Sequence, residues 1–164
     1  MDEADPSRDL TPWELGAWRA MMVGMGRLLH RLDEELVTES GMTLAEYEVL
    51  SYLSDSVEGR LRMAELAQGV VVSRSGLTRR VDGLVAAGLV RRSACASDRR
   101  GTYAELTQEG WRRLEQAAPV HRSGVRRYFL DQVDDEELYM VGDIFGSVAS
   151  SLADYEARQA RRFA

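Results

Sequence analysis

The chain has 164 residues, 45% apolar and 29% charged, with net charge −6, two histidines and one cysteine. That length suits one domain, or a small domain with helical extensions, and the apolar share is enough to build a core. The lone Cys95 argues against a disulfide framework or a cysteine-rich zinc site, the absence of a long apolar run against a membrane span, and the acidic opening MDEADPSRDL against a signal peptide, so a cytoplasmic location is expected.

Residues 1–12 are polar, with Pro6 and Pro12 as breakers, and are expected to form a loose arm. Over residues 13–39, Trp18, Met22, Met25, Leu29, Leu32 and Leu36 step by four and three residues, the pattern of a helix–helix packing stripe. Methionines at this spacing are usually core, although they also suit an adaptable pocket. Gly41 closes this helix, and Thr43-Leu44-Ala45-Glu46 is a capping box that opens a second helix to about Leu53. Its apolar positions are Leu44, Tyr47, Leu50 and Leu53. Residues 54–59 predict a turn, and Arg60-Leu61-Arg62 a very short extended piece.

The next stretch, MAELAQGVVVSRSGLTRRVDGLV, reads as helix, tight connection, helix. Ser73 is a good N-cap, and Gly88 a natural stop. Leu77, Val81, Leu84 and Val85 fall on one face of the second helix. Arg74, Ser75, Thr78 and Arg79 fall on the other, with Arg80 at its edge. A short helix with a small, hydroxylated and cationic outer face suits the DNA major groove. Hydroxyls bond phosphates, and arginine binds the guanine edge bidentately. A solvated amphipathic helix has the same pattern, so the neighbouring segments decide between the two.

Residues 89–94 and 102–106 read as two strands, joined by the polar tip Cys95-Ala96-Ser97-Asp98-Arg99-Arg100-Gly101. Such a hairpin after a helix-turn-helix makes a winged helix-turn-helix, and an arginine at its tip suits a narrow minor groove. From Thr107 the chain is helical again, with Trp111 and Leu114 as apolar points and a break or kink expected near Pro119. Asp134–Glu137 form an acidic first turn for a last helix, in which Leu138, Val141, Phe145, Val148, Leu152 and Tyr155 recur at three and four residues. Both terminal helices thus carry a packing seam. The economical arrangement packs both ends together and against a second copy, placing two recognition helices one duplex turn apart.

Charge distribution supports this reading. Nine arginines (60, 62, 74, 79, 80, 91, 92, 99, 100) and three acids (Glu65, Asp82, Asp98) give residues 60–100 a charge of +6, leaving −12 on the rest. A local positive field on an acidic body favours a polyanion at one place and opposes indiscriminate sticking. The fold expected is mainly α, an α+β winged helix: arm 1–12, dimerisation helix 13–42, winged helix-turn-helix 43–107, and C-terminal dimerisation helices 108–158.

LRMAELAQGVVVSRSGLTRRVDGLVAAGLVRR, the wing segment SDRRGTYAELTQEG and the order of elements together resemble the MarR family of bacterial transcription regulators, over about residues 13–156. The resemblance implies a homodimer that binds double-stranded DNA at pseudo-palindromic operators, usually as a repressor. It places Ser73, Arg74, Ser75, Thr78 and Arg79 at recognition-helix contacts and Arg100 in the minor groove. Asp98 would hold the wing arginines, with Arg99 at a variable position; Arg62 and Arg80 complete the cationic set. Val71 departs from the small residue usual in helix-turn-helix turns, since a β-branched side chain disfavours a left-handed backbone.

The resemblance also implies a small aromatic or phenolic effector held between the dimer helices and the DNA-binding lobe. The candidates for that pocket are Trp18, Met25, His30, Tyr47 and His121, each of which reads equally as a packing residue. No cofactor is expected. Two distant histidines make a weak metal site. No nucleophile–base grouping or phosphate loop points to an enzyme. A different reading, a winged-helix dimer serving as a protein-interaction module, would want exposed aromatics or leucines on the outer helix face rather than Arg, Ser and Thr. Cys95 near the wing base has arginines beside it in sequence, but packing is its simpler role.

Overall fold

A computed structural model describes residues 8–70, 74–95 and 98–162, with the backbone alone for Arg74, Cys95, Asp98, Arg99, Arg100 and Ala160. The arm up to residue 7, the N-cap Ser73, Val71 and the tip residues Ala96 and Ser97 lie outside the described residues. The chain divides into two compact units, 1–123 and 124–164.

The first unit begins with α1 (Pro12–Ser40). Pro12, expected as a breaker, occupies the first helical position, where its missing N–H costs nothing and its fixed φ suits the helix. Thr11 caps the helix: its hydroxyl accepts from the Glu14 amide, and the Glu14 carboxylate accepts from the Thr11 amide at 2.6 Å. The helix ends at Gly41, whose φ of +64° a side chain would oppose. Only its C-terminal part enters the core: Leu32 and Leu36 are buried, whereas Trp18, Met22, Met25 and Leu29 are exposed by 40–53%.

The predicted capping box at Thr43–Glu46 opens α2 (Leu44–Ser54). Asp33 of α1 accepts from the Leu44 amide at 2.8 Å, fastening the two helices at this corner. Leu44, Tyr47, Leu50 and Leu53 are buried as their spacing requires, and Val49 joins them. A 3₁₀ turn, Val57–Gly59, leads into β1 (Arg60–Arg62), α3 (Met63–Gly69) and α4 (Arg74–Ala86). Then follow β2 (Val90–Cys95), β3 (Asp98–Leu106) and α5 (Gln108–Tyr128).

The three strands form an antiparallel sheet in the order β1-β3-β2. Val90, Ala104 and Leu106 of one sheet face enter the core with Leu66 of α3 and Leu77, Val81 and Leu84 of α4. Val85, predicted to join that inner face, is 37% exposed, since the buried stripe of α4 is one residue narrower than its sequence. The hairpin is also longer than its pattern suggested. β3 starts at Asp98, which pairs with Cys95, while Ala94 pairs with Thr102. The register shifts between Ala94 and Cys95, so Arg99, Arg100 and Gly101 fall between paired positions. An irregularity of this kind hides a strand from a strict alternation test.

α5 runs through Pro119 as one helix, so of the break or kink expected there the break does not occur. Proline removes one hydrogen bond to the carbonyl four residues earlier, and both Pro119 and Glu115 are exposed, so water can take up that carbonyl. Leu114 and Ala117 of α5 are buried.

The second unit contains the end of α5, a 3₁₀ turn (Leu130–Gln132) and α6 (Asp135–Arg162). The Asp134 carboxylate accepts from the Glu137 amide at 2.8 Å, and the Glu137 carboxylate accepts from the Asp134 amide at 3.0 Å. The acidic turn is therefore a reciprocal cap. Leu138, Phe145, Val148, Leu152 and Tyr155 of the seam are all exposed, by 36–56%. No helix among the described residues is long and apolar enough to cross a membrane.

Candidate nucleic-acid interface

The outer face of α4 is built by subtraction. Burying Leu77, Val81 and Leu84 leaves Ser75, Thr78, Arg79 and Asp82 exposed on the opposite side, with Arg80 half-buried at the edge. Among the described residues neither Arg79 nor Arg80 has an ion-pair partner, so both charges stay available. Beside them lies a cleft of about 510 Å³ lined by Asp33, Thr43, Glu46, Gly76, Arg79 and Arg80. Its two carboxylates already accept backbone amides, Asp33 from Leu44 and Glu46 from Thr43. The acids that come near the cationic helix are thus committed to shaping the corner behind it.

The neighbouring arginines are sorted differently. Arg60 and Arg91 stand on either side of Glu105 in register across the sheet. Arg91 holds Glu105 at 2.5 Å, and that hydrogen bond draws the Glu105 carboxyl below its ordinary range. Arg60 pairs with Glu58 at 3.1 Å. One step along, the Tyr103 ring lies under both Arg60 (5.4 Å) and Arg62 (5.8 Å). Arg92 reaches the α4 carboxylate Asp82 at 3.0 Å, tying β2 to the helix. The charge excess of this segment therefore serves two purposes: Arg60, Arg91 and Arg92 hold the sheet and helix together, and Arg79 and Arg80 face outward. Sequence alone counted all nine arginines as one field.

Of the predicted contact residues, Ser75, Thr78, Arg79 and Arg80 share α4, and Arg62 stands at the start of α3. Arg74 opens α4 and Asp98, Arg99 and Arg100 lie on β3 by their backbone, while their side chains fall outside the described residues, as does Ser73.

The five pocket candidates are not one group. Tyr47 of α2 and His121 of α5 stack at 4.3 Å between ring centroids, within the first unit. Burial holds His121 below its ordinary pKa, with help from Arg122, and burial raises that of Tyr47. His30 instead faces Glu34 on its own helix at 3.5 Å, and Trp18 and Met25 are exposed on α1. Among the described residues no cluster of three potential metal ligands occurs.

Two residues that carry no charge were missed as organisers. Thr107, between β3 and α5, donates its hydroxyl to the Gly88 carbonyl at 2.7 Å and accepts from the Gly110 amide at 3.0 Å. Gly110 is buried so close to Leu89 that a Cβ would sit 2.1 Å from the Leu89 carbonyl oxygen. The Leu-Thr-x-x-Gly spacing was visible, but its partner, the turn after α4, lies about twenty residues earlier in sequence.

The chain as a whole is similar to known proteins. Residues 40–101 match the model of the MarR family. The HTH-type transcriptional repressor YetL of Bacillus subtilis is 32% identical over 124 residues, 74% of each protein. The MarR family transcriptional regulator Sco3205 of Streptomyces coelicolor, whose structure is in complex with DNA, is 38% identical with a TM-score of 0.86, covering 91% of this chain and 93% of that one. AbsC, a MarR family regulator from the same organism, is 36% identical with a TM-score of 0.84, covering 90% and 99%. With its helix-turn-helix, its hairpin and relatives matching along most of its length, the chain belongs to the MarR family.

Proposed function

We propose that this protein is a DNA-binding transcriptional repressor that acts as a homodimer on pseudo-palindromic sites, with α4 in the major groove and the β2–β3 wing in the minor groove. The observation that carries the reading is Arg79, exposed beside Ser75 and Thr78 on the outer face of α4 and held by no carboxylate among the described residues. Desolvating a guanidinium against a guanine edge is favoured when no internal pair has first to be broken. The DNA complex of the Streptomyces relative supports the same use of the fold.

In this reading Ser73, Arg74, Ser75, Thr78 and Arg79 touch DNA from the helix, Arg62 and Arg80 hold its backbone, and Arg99 and Arg100 enter from the wing, positioned by Asp98. Residues 43–107 form the DNA-binding part, and 13–42 with 108–158 the dimerisation part. Support for the second copy comes from the exposed rows on α1 (Trp18, Met22, Met25, Leu29) and α6 (Phe145, Val148, Leu152, Tyr155). The protein works beside the chromosome in the cytoplasm, has no catalytic role, and releases DNA when a small aromatic or phenolic effector binds near Tyr47 and His121.

A duplex enriched by the protein from random sequence provides the probe. Arg79→Ala should weaken binding to it by about 1–3 kcal/mol, the range for a lost bidentate base contact, in a fluorescence anisotropy titration. Affinity should fall with salt for both proteins. Unchanged affinity of the variant would remove Arg79 from the interface.

A further inference from the structure

We infer that Thr107 is a positioning residue for DNA binding: it fixes the exit of the DNA-facing helix α4 to the start of α5, and so sets how α4 is presented. The inference rests on the DNA-binding reading above. Helix α4 ends in a left-handed turn, with Gly88 at φ +72°. Within it the Gly88 amide donates to the Val85 carbonyl at 3.0 Å, and the Leu89 amide to the Leu84 carbonyl at 2.9 Å. The turn's amides thus satisfy carbonyls at the end of α4, and the turn's own Gly88 and Leu89 carbonyls need donors from elsewhere. Thr107 takes both up. Its hydroxyl lies 2.7 Å from the Gly88 oxygen and 3.2 Å from the Leu89 oxygen, and its amide donates to Leu89 at 3.1 Å.

The same hydroxyl oxygen accepts the Gly110 amide at 3.0 Å, which makes Thr107 the N-cap of α5. One side chain therefore caps α5 and holds the turn that ends α4. Gly110 permits the approach, because any Cβ there would collide with the Leu89 carbonyl oxygen. Arg92 with Asp82 makes a second tie to α4, but through exposed charged side chains that water and salt weaken. The hydroxyl latch joins uncharged groups through a half-buried threonine, so salt does not screen it as it does an ion pair. A helix that must place Ser75, Thr78 and Arg79 against base edges within a fraction of an ångström needs such a fixed end.

Thr107→Val keeps the β-branched shape and removes the hydroxyl, and Thr107→Ser keeps the hydroxyl. Each is titrated against the duplex enriched by the wild type and against a scrambled duplex of the same composition, with thermal melts and amide hydrogen exchange alongside. Thr107→Val should lower the preference for the enriched duplex about tenfold, the effect of one or two hydrogen bonds, and leave scrambled-duplex affinity within about twofold. Thr107→Ser should restore the preference, and exchange at the Gly110 amide should quicken in the valine variant only. A valine variant with wild-type preference, or both variants weakening on both duplexes in step with lost thermal stability, would overturn the assignment. A wild type that enriches no duplex would instead overturn the DNA reading, and Gly110 exchange equal in all three proteins would overturn the latch by itself.

Discussion

At the scale of single residues, the division of labour among like charges matters most. Arg91 and Arg79 are the same side chain in different roles: one is spent on Glu105, the other left open. Sequence could not tell them apart because the partner of Arg91 comes from a strand paired only after folding. The same holds for Tyr47 and His121, two of the five pocket candidates, which alone of those five meet as a stacked pair. His121 binds its proton less readily in the folded chain than in the unfolded one. The unfolded state therefore takes up more protons once the pH falls below about 6.5, and stability declines from there toward the lower folded-state pKa. Above that pH the contribution is complete. Urea midpoints measured from pH 8 to pH 5 should fall for the wild type, and His121→Phe, which keeps a ring against Tyr47, should flatten that part of the fall. An unchanged slope in the variant would assign the loss to other groups.

At the scale of elements, local rules sufficed where the determinants are local. The capping box at Thr43–Glu46, the stop at Gly41 and the acidic start of α6 all appear as their residues require. Failures came where burial or a distant segment decides. Val85 has the right spacing but stays partly exposed, Pro119 is tolerated on a solvent-facing side of α5, and the shifted register of β3 masked its first residues. Two glycines make the contrast measurable. At Gly83 of α4 an added Cβ meets nothing within 4 Å, whereas at Gly110 it meets a backbone oxygen. Gly83→Ala should stabilise the protein by up to about 1 kcal/mol through helix propensity. Gly110→Ala should cost about 1–3 kcal/mol, because the turn after α4 must move. Thermal melts of the two variants should shift in opposite directions; shifts of the same sign would contradict the close approach of α5 to Leu89.

At the scale of the whole molecule, the acidic remainder and the outward arginines of α4 act together. A protein with net charge −6 is repelled from DNA except where its cationic segment is presented, which in the proposed reading would favour one orientation of binding. Two such segments, carried by two copies joined through the exposed rows of α1 and α6, would read two half-sites about 10 bp apart centre to centre. The most direct test is to enrich bound duplexes from a random-sequence pool and to measure by sedimentation how many chains occupy the winning duplex. The account predicts a two-fold symmetric consensus with half-sites one turn of the double helix apart, occupied by two chains. A consensus without internal symmetry, a single chain per duplex, or no enrichment at all would contradict it.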